Sequence, residues 1–181
     1  MRSDWPTPNV PYLKANDVCC VVREPLLEDD IPIEEKPLRA YSVAILRIVD
    51  AAHPAVNEFG LYAAEPIPPH SFVCNYIGRV HLQTEYPDSD YAVTYFGEYA
   101  LDATHTGNEA RFINDYRNIA SRPNVAFDTY KDVDGMIQVG VWSLNKPIVP
   151  GEEILGNYGK GYWRARGVKG VLGPDWDDSW D

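Results

Sequence analysis

Only three cysteines occur in the chain, Cys19, Cys20 and Cys74, and none stands in a C-x-x-C pair. Neither a disulfide framework nor a cysteine zinc site is suggested, and a reducing compartment is the simpler assumption. Basic charge is also short. Sixteen Lys and Arg face 27 Asp and Glu, a formal net charge of −11. Phosphate backbones are bound by an excess of cations, so direct nucleic-acid binding is not expected. The sign suits a basic protein partner, although an acidic balance also serves solubility alone. No apolar run approaches the ~20 residues of a membrane span. The start, Met1-Arg2-Ser3-Asp4-Trp5-Pro6, lacks the apolar core of a signal peptide. The expectation is a soluble intracellular protein, in nucleus or cytoplasm, with no membrane partner. Repeats and low-complexity tracts are lacking too.

What is present is apolar residue enough for a packed core, 45% of 181 residues, in a chain of single-domain length. Residues 1–37 are rich in proline (Pro6, Pro8, Pro11, Pro25, Pro32, Pro37) and carry an acidic patch at Glu28-Asp29-Asp30. Such a stretch cannot be mostly helix and reads as extended segments packed on a domain. From Leu38 the pattern is strand-like: residues 41–50, 61–63, 71–80, 91–101, 125–130 and 136–144 each read as a strand. Gly78 suggests a bulge or close approach in the third of these, and Gly97 a turn within the fourth. Asp134-Gly135, between two apolar runs, is a strong hairpin signal. Helix is scarce, with one short candidate near residues 109–115. The reading is mainly β, with many short strands and irregular connections.

Three segments stand out together. The first is Asn57-Glu58-Phe59-Gly60-Leu61-Tyr62. The second is Leu101-Asp102-Ala103, continuing through Gly107-Asn108-Glu109-Ala110-Arg111-Phe112-Ile113-Asn114-Asp115-Tyr116 to Arg122-Pro123-Asn124-Val125. The third is Gly151-Glu152-Glu153-Ile154-Leu155-Gly156-Asn157-Tyr158-Gly159. In order and spacing they resemble the SET-domain family. That family writes a Gly-x-Gly strand turn, then Asp-Ala…Gly-Asn-x-x-Arg-Phe-x-Asn-His-Ser…Pro-Asn, then Gly-Glu-Glu-Leu-x-x-x-Tyr-Gly. Tyr76-Ile77-Gly78 resembles its Tyr-x-Gly segment. Any one match is weak, whereas four in order make chance improbable. The resemblance covers residues 38–158. It leaves residues 1–37 as an N-terminal extension packed on the domain and residues 159–181 as a C-terminal post-SET-like segment.

The resemblance implies a fold of small curved sheets with a C-terminal pseudoknot, where the Asn114 and Tyr158 segments meet. It implies a protein-lysine N-methyltransferase that uses S-adenosylmethionine and no metal. The substrate would be a basic protein, a histone tail or another Lys-rich protein, and a homodimer is left open. Tyr158 and Tyr76 match the catalytic and channel tyrosines. Glu58, Phe59, Gly60, Tyr99, Asn114, Asp115, Tyr158 and Trp163 fall at cofactor-contacting positions. Tyr76, Gly156 and Tyr162 fall along the lysine channel. Arg111 is expected to hold the fold by a charged hydrogen bond. Such a site has a physical rationale: the attacking lysine must be neutral, and a narrow aromatic channel disfavours its ammonium form.

The chain departs from the pattern at four places. Asp115 stands where the family has His, and Tyr116 where it has Ser. An ionised Asp accepts a hydrogen bond but cannot donate one, and a carboxylate near a sulfonium is electrostatically acceptable. Glu58 replaces the first glycine of Gly-x-Gly, with a carboxylate that could meet the cofactor's cationic end. Gly156 replaces an aromatic that tunes how many methyl groups are added, which leaves the channel open unless Tyr91 or Tyr95 fills the gap. The acidic tail Asp175-Trp176-Asp177-Asp178-Ser179-Trp180-Asp181 could attract a basic peptide or simply be a disordered terminus. The alternative function is a catalytically weak or inactive SET module that binds a basic peptide. A hydrolase finds little support: Ser143 lacks elbow glycines, and the four histidines show no triad or metal spacing.

Overall fold

The computed structural model describes residues 5–7, 9–18, 31–33 and 38–167. Cys19, Cys20, the acidic patch at 28–30 and the tail 175–181 lie outside the described residues.

The described residues are mainly β and build four small sheets. Strands β1 (Asp17–Val18), β2 (Val43–Arg47), β3 (Phe59–Ala63), β4 (Phe72–Tyr76), β5 (Arg79–Leu82), β6 (Ala92–Phe96) and β7 (Tyr99–Asp102) come first. A 3-10 turn at Glu109–Phe112 follows, then β8 (Asn114–Asp115), β9 (Val125–Lys131), β10 (Ile137–Ser143), β11 (Leu155–Gly156) and helix α1 (Gly159–Ala165). One sheet runs β1-β5-β7-β6, a second β4-β10-β9, and two pairs are β2-β3 and β11-β8.

Residues 71–80, read as one strand, are two strands in different sheets. The break comes at Ile77-Gly78, where a Cβ on Gly78 would collide with the Asp102 carbonyl. The chain can turn from one sheet to the next there because that side chain is missing. Residues 91–101 form the expected hairpin, β6 to β7, with Gly97 at φ +51° in its turn. The β9–β10 hairpin closes over residues 132–136. Gly135 adopts φ +75°, and Asp132 Oδ1 accepts the N–H groups of Asp134 and Met136. The expected helix near 109–115 is a single 3-10 turn. The α-helix lies later, at α1, where Gly159 and Gly161 weaken the local signal.

The sheets share one core, with Leu61, Val73, Leu101, Val125, Val139, Val141, Ile148 and Ile154 fully buried. Trp5 joins it, edge-on to Tyr12 and Phe112 at 5.2 and 5.4 Å, and β1 pairs with β5, so described parts of the first 37 residues lie against the sheets. The two-stranded parallel pair β8–β11 positions the site. It joins Asn114 to Leu155 and Asp115 to Gly156 in register.

Candidate active site

Two chain segments far apart in sequence are locked side by side by β8 and β11. Asn124 reinforces the lock: its Nδ2 donates to the Glu153 carbonyl at 2.8 Å, and its Oδ1 accepts the Leu155 N–H at 2.8 Å. The Tyr116 N–H donates to the Gly156 carbonyl at 3.0 Å. The chain leaving β11 then carries Tyr158 back over β8, where its hydroxyl donates to the Ile113 carbonyl at 2.7 Å. The segments expected to meet at the C-terminal crossing therefore do so.

Asp115 is the hub of this crossing. Its carboxylate accepts the Tyr158 main-chain N–H at 2.8 Å and pairs with the Arg117 guanidinium at 2.7 Å. The Trp163 indole N–H reaches it at 3.4 Å. Both charged side chains are buried, and Arg117 Nη1 also donates to Asn157 at 3.1 Å. The negative charge at the position where a His was expected is thus matched by a cation two residues on.

A second carboxylate, Glu153, serves the other side of Asn114. The Asn114 amide donates to Glu153 Oε1 at 2.8 Å and to the Phe59 carbonyl at 3.3 Å. The His53 Nε2 lies 3.1 Å from Glu153 Oε2, and His53 Nδ1 accepts the Ala55 N–H, which leaves Nε2 as the nitrogen carrying the proton. Tyr62 packs here too. Burial first, then the Glu153 carboxylate, raises its pKa. Gly60 makes room for this group: a Cβ there would lie 2.6 Å from Glu153 Oε1. Glu58, whose carboxylate had been the candidate for the same neighbourhood, is exposed.

Beside the crossing opens a cleft of about 710 Å³, lined among others by Tyr76, Tyr91, Arg111, Ile113, Phe127, Tyr158 and Tyr162. The Tyr76 hydroxyl donates to the Tyr91 carbonyl at 2.7 Å. Burial pushes the Tyr76 and Tyr158 phenols well above the usual range, with Tyr158 adding to the rise at Tyr76, and Tyr162 and then Asp115 adding to the rise at Tyr158. Both stay neutral at any working pH and act as dipoles and hydrogen-bond donors, not as proton acceptors. Tyr162 packs edge-on to Tyr158 at 4.7 Å, and Trp163 lies parallel to Tyr158 at 6.5 Å. Arg166 stacks on Tyr162 at 3.6 Å and pairs with Asp90, which ties α1 to the loop before β6. Arg111 donates to the Ala103 carbonyl at 3.1 Å and lies over Tyr91 at 4.3 Å.

Of the residues singled out from sequence, Tyr76, Tyr158 and Tyr162 share the cleft, and Trp163 flanks Tyr158. Asn114, Phe59 and Gly60 gather around Glu153, and Asp115 joins the crossing. Tyr99 is not part of the cleft lining; it is buried in the core on β7. Gly156 does not leave a gap, because Phe127 stands against it. Sequence reasoning assigned no role to Glu153, His53, Arg117 or Phe127. Glu153 lies within the Gly151-Glu152-Glu153 motif, which was the signal available. His53 and Phe127 carried none, since their partners are brought to them across the fold, and nothing marked Arg117 as the partner of Asp115 two residues before it. Ser143, weighed as a nucleophile, is buried and donates to the Pro68 carbonyl at 2.6 Å.

Small sheets around a crossing of two segments, with an aromatic cleft beside it, match what known proteins display. The family model described as the SET domain matches residues 58–159, more than half of the chain, and the protein belongs to that family. Histone-lysine N-methyltransferase Set2 of Drosophila melanogaster is 34% identical over 113 residues, 55% of this chain and 4% of that protein. The H3 lysine-36 specific histone-lysine N-methyltransferase of Mycosarcoma maydis is 33% identical over 122 residues, 61% of this chain and 12% of that protein. Among solved structures, the apo Polycomb Repressive Complex 2 of Chaetomium thermophilum with two substitutions in Ezh2 aligns at a TM-score of 0.56. It shares 25% identity and covers 71% of this chain and 16% of that one. The matches to curated relatives span from 4% to 36% of those proteins' length.

Proposed function

We propose that this protein is a protein-lysine N-methyltransferase that takes its methyl group from S-adenosylmethionine and acts on a basic protein such as a histone tail. The observation that carries the reading is Tyr158, held at both ends beside β8, its hydroxyl on the Ile113 carbonyl and its ring in a cleft shared with Tyr76. The donor set around Asn114 fits a cationic cofactor. The Glu153 carboxylate supplies negative charge beside the Asn114 amide and the Phe59-Gly60 strand, and Trp163, packed against Tyr158 on the crossing, supplies an aromatic face. Bound S-adenosylmethionine supplies an electrophilic methyl on a positively charged sulfur. Tyr99 has the least support as a cofactor contact, because it is buried in the core.

The chain's own residues do the rest. Tyr76, Phe127, Tyr158 and Tyr162 wall a cleft in which an ammonium loses hydration, so the target lysine enters as the neutral amine. The two phenols are donors already engaged with carbonyls and take no proton, and Asp90 on the cleft lining is paired with Arg166. The proton therefore leaves to water before attack. The Tyr76 and Tyr158 phenol oxygens, fixed by donation to the Tyr91 and Ile113 carbonyls, then orient the amine, and C–H···O contacts favour the polarised methyl. A net acidic chain favours encounter with a Lys-rich segment.

Further parts of the reading are the boundaries 1–37, 38–158 and 159–181, residence in nucleus or cytoplasm, the absence of a metal, and no direct contact with nucleic acid or membrane. One observation favours a second reading, a weak or inactive module that binds a basic peptide. Asp115 is tied up by Arg117 where a histidine was expected. Titration calorimetry separates cofactor use from mere folding. Saturable binding of S-adenosylmethionine, weakened at least about tenfold by Asn114→Ala, supports the enzyme; one lost buried hydrogen bond to a charged group is worth about that much. No heat at millimolar cofactor removes it.

A further inference from the structure

We infer that Phe127, and not the residue at 156, is the side chain that decides how many methyl groups the target lysine can carry. The inference rests on the methyltransferase reading of the cleft. Phe127 comes from β9, a strand in a different sheet from β11, yet its ring stands where a side chain on Gly156 would go. A Cβ built on Gly156 lies 2.7 Å from Phe127 Cε2, 3.3 Å from its Cζ and 3.3 Å from Ile113 Cγ2. The two positions are complementary: glycine at 156 is the room that the ring occupies.

The ring also belongs to the cleft. Phe127 lines it together with Ile113, Tyr76 and Tyr158, and packs edge-on to Tyr76 at 5.8 Å and 80°. Tyr76 is buried, while Phe127 is partly exposed. The two tyrosines first considered as fillers are committed elsewhere. Tyr95 is buried, with its hydroxyl on the Ile137 carbonyl, and the Tyr91 ring lies under Arg111. Each methyl added to the lysine nitrogen enlarges the group that must fit against this wall. In an apolar pocket one carbon more or less changes kcat/KM by about 10–200-fold. Phenylalanine has no hydroxyl, so it holds no water against the amine and acts by bulk alone.

The test uses the full chain with S-adenosylmethionine and synthetic histone-tail peptides carrying unmodified, monomethylated or dimethylated lysine, with products read by mass spectrometry. Phe127→Ala should raise kcat/KM on the dimethylated peptide, relative to the unmodified one, by about tenfold or more, and Phe127→Leu by less. Gly156→Phe alone should lower the melting temperature, because its Cβ meets the Phe127 ring. The pair Phe127→Ala/Gly156→Phe should melt higher than Gly156→Phe and return the peptide preference toward that of the unmodified protein. A folded, active Phe127→Ala with unchanged preference overturns the inference while leaving methyl transfer intact. So does a Gly156→Phe variant that melts normally. No transfer by the unmodified protein to any peptide overturns the methyltransferase reading and this inference with it.

Discussion

The carboxylate of Asp115 and the main-chain N–H of Tyr158, 43 residues apart in the chain, meet at 2.8 Å. That bond places the tyrosine backbone, while the tyrosine hydroxyl is placed by Ile113, two residues before Asp115. Position 115 therefore sets the tyrosine, and Arg117 in turn neutralises the buried charge that does so.

Removing Asp115 takes from the buried Arg117 guanidinium the carboxylate it pairs with on β8. Asp115→Ala is expected to destabilise the fold by about 3–5 kcal/mol, the usual effect of breaking one side of a buried ion pair. Asp115→Asn keeps an acceptor for the Tyr158 N–H and should lose less. Chemical denaturation measures both; equal midpoints for the Ala variant and the unmodified protein would mean that the pair adds nothing.

Tyr158→Phe tests the cleft. The hydroxyl acts on the geometry and charge of transfer, and such interactions appear mainly in kcat. The loss in turnover should be about tenfold or greater, the value of one buried hydrogen bond, with cofactor affinity changed less than about threefold. Near-normal turnover in the variant would move the catalytic role away from Tyr158.

How much of this was legible beforehand differs from residue to residue. Asn114 and Tyr158 were readable because each sits inside a motif whose spacing survives in one dimension. The crossing that joins them followed from the resemblance alone, since no local pattern encodes the parallel pairing of β8 with β11. The break at Gly78 was half visible. Glycine signalled a close approach, but only the Asp102 carbonyl behind it explains why the strand splits between two sheets. Phe127 was invisible because its neighbour Gly156 is brought to it by the packing of separate sheets. Arg117 was likewise unreadable, its link to Asp115 depending on a turn of two residues. The helix after Tyr158 was missed because two glycines in seven residues contradict helix propensity.

Rate should depend on pH through the substrate. Tyr76 and Tyr158 are held above the usual phenol range by burial, so they do not titrate near neutrality. The amine must shed its proton to water from a free value of about 10.4. Methylation at subsaturating peptide should therefore rise between neutrality and about pH 9, close to tenfold per unit at first. A flat profile on folded protein would place the slow step elsewhere.

Stability should move the other way in alkali. Burial pushes Tyr95 up to about 12, against an ordinary value near 10. A group whose folded value is raised gives its full stabilisation below the unfolded value, and that is lost as pH climbs toward the folded one. Unfolding free energy should thus hold from neutrality to about pH 9.5 and fall between about 10 and 12, by up to about 1.4 kcal/mol per unit for each buried phenol. Denaturation midpoints with a phenolate absorbance titration check this; rising stability in that window would contradict the burial of these rings.

The most direct measurement is methyl transfer itself. The protein, incubated with methyl-labelled S-adenosylmethionine and purified histones, should place label on lysine side chains, and Tyr158→Phe should lose most of it. Cofactor binding without any label on histones or on synthetic Lys-rich peptides, from protein whose fold is verified, would contradict the account and leave a module that holds basic peptides without modifying them.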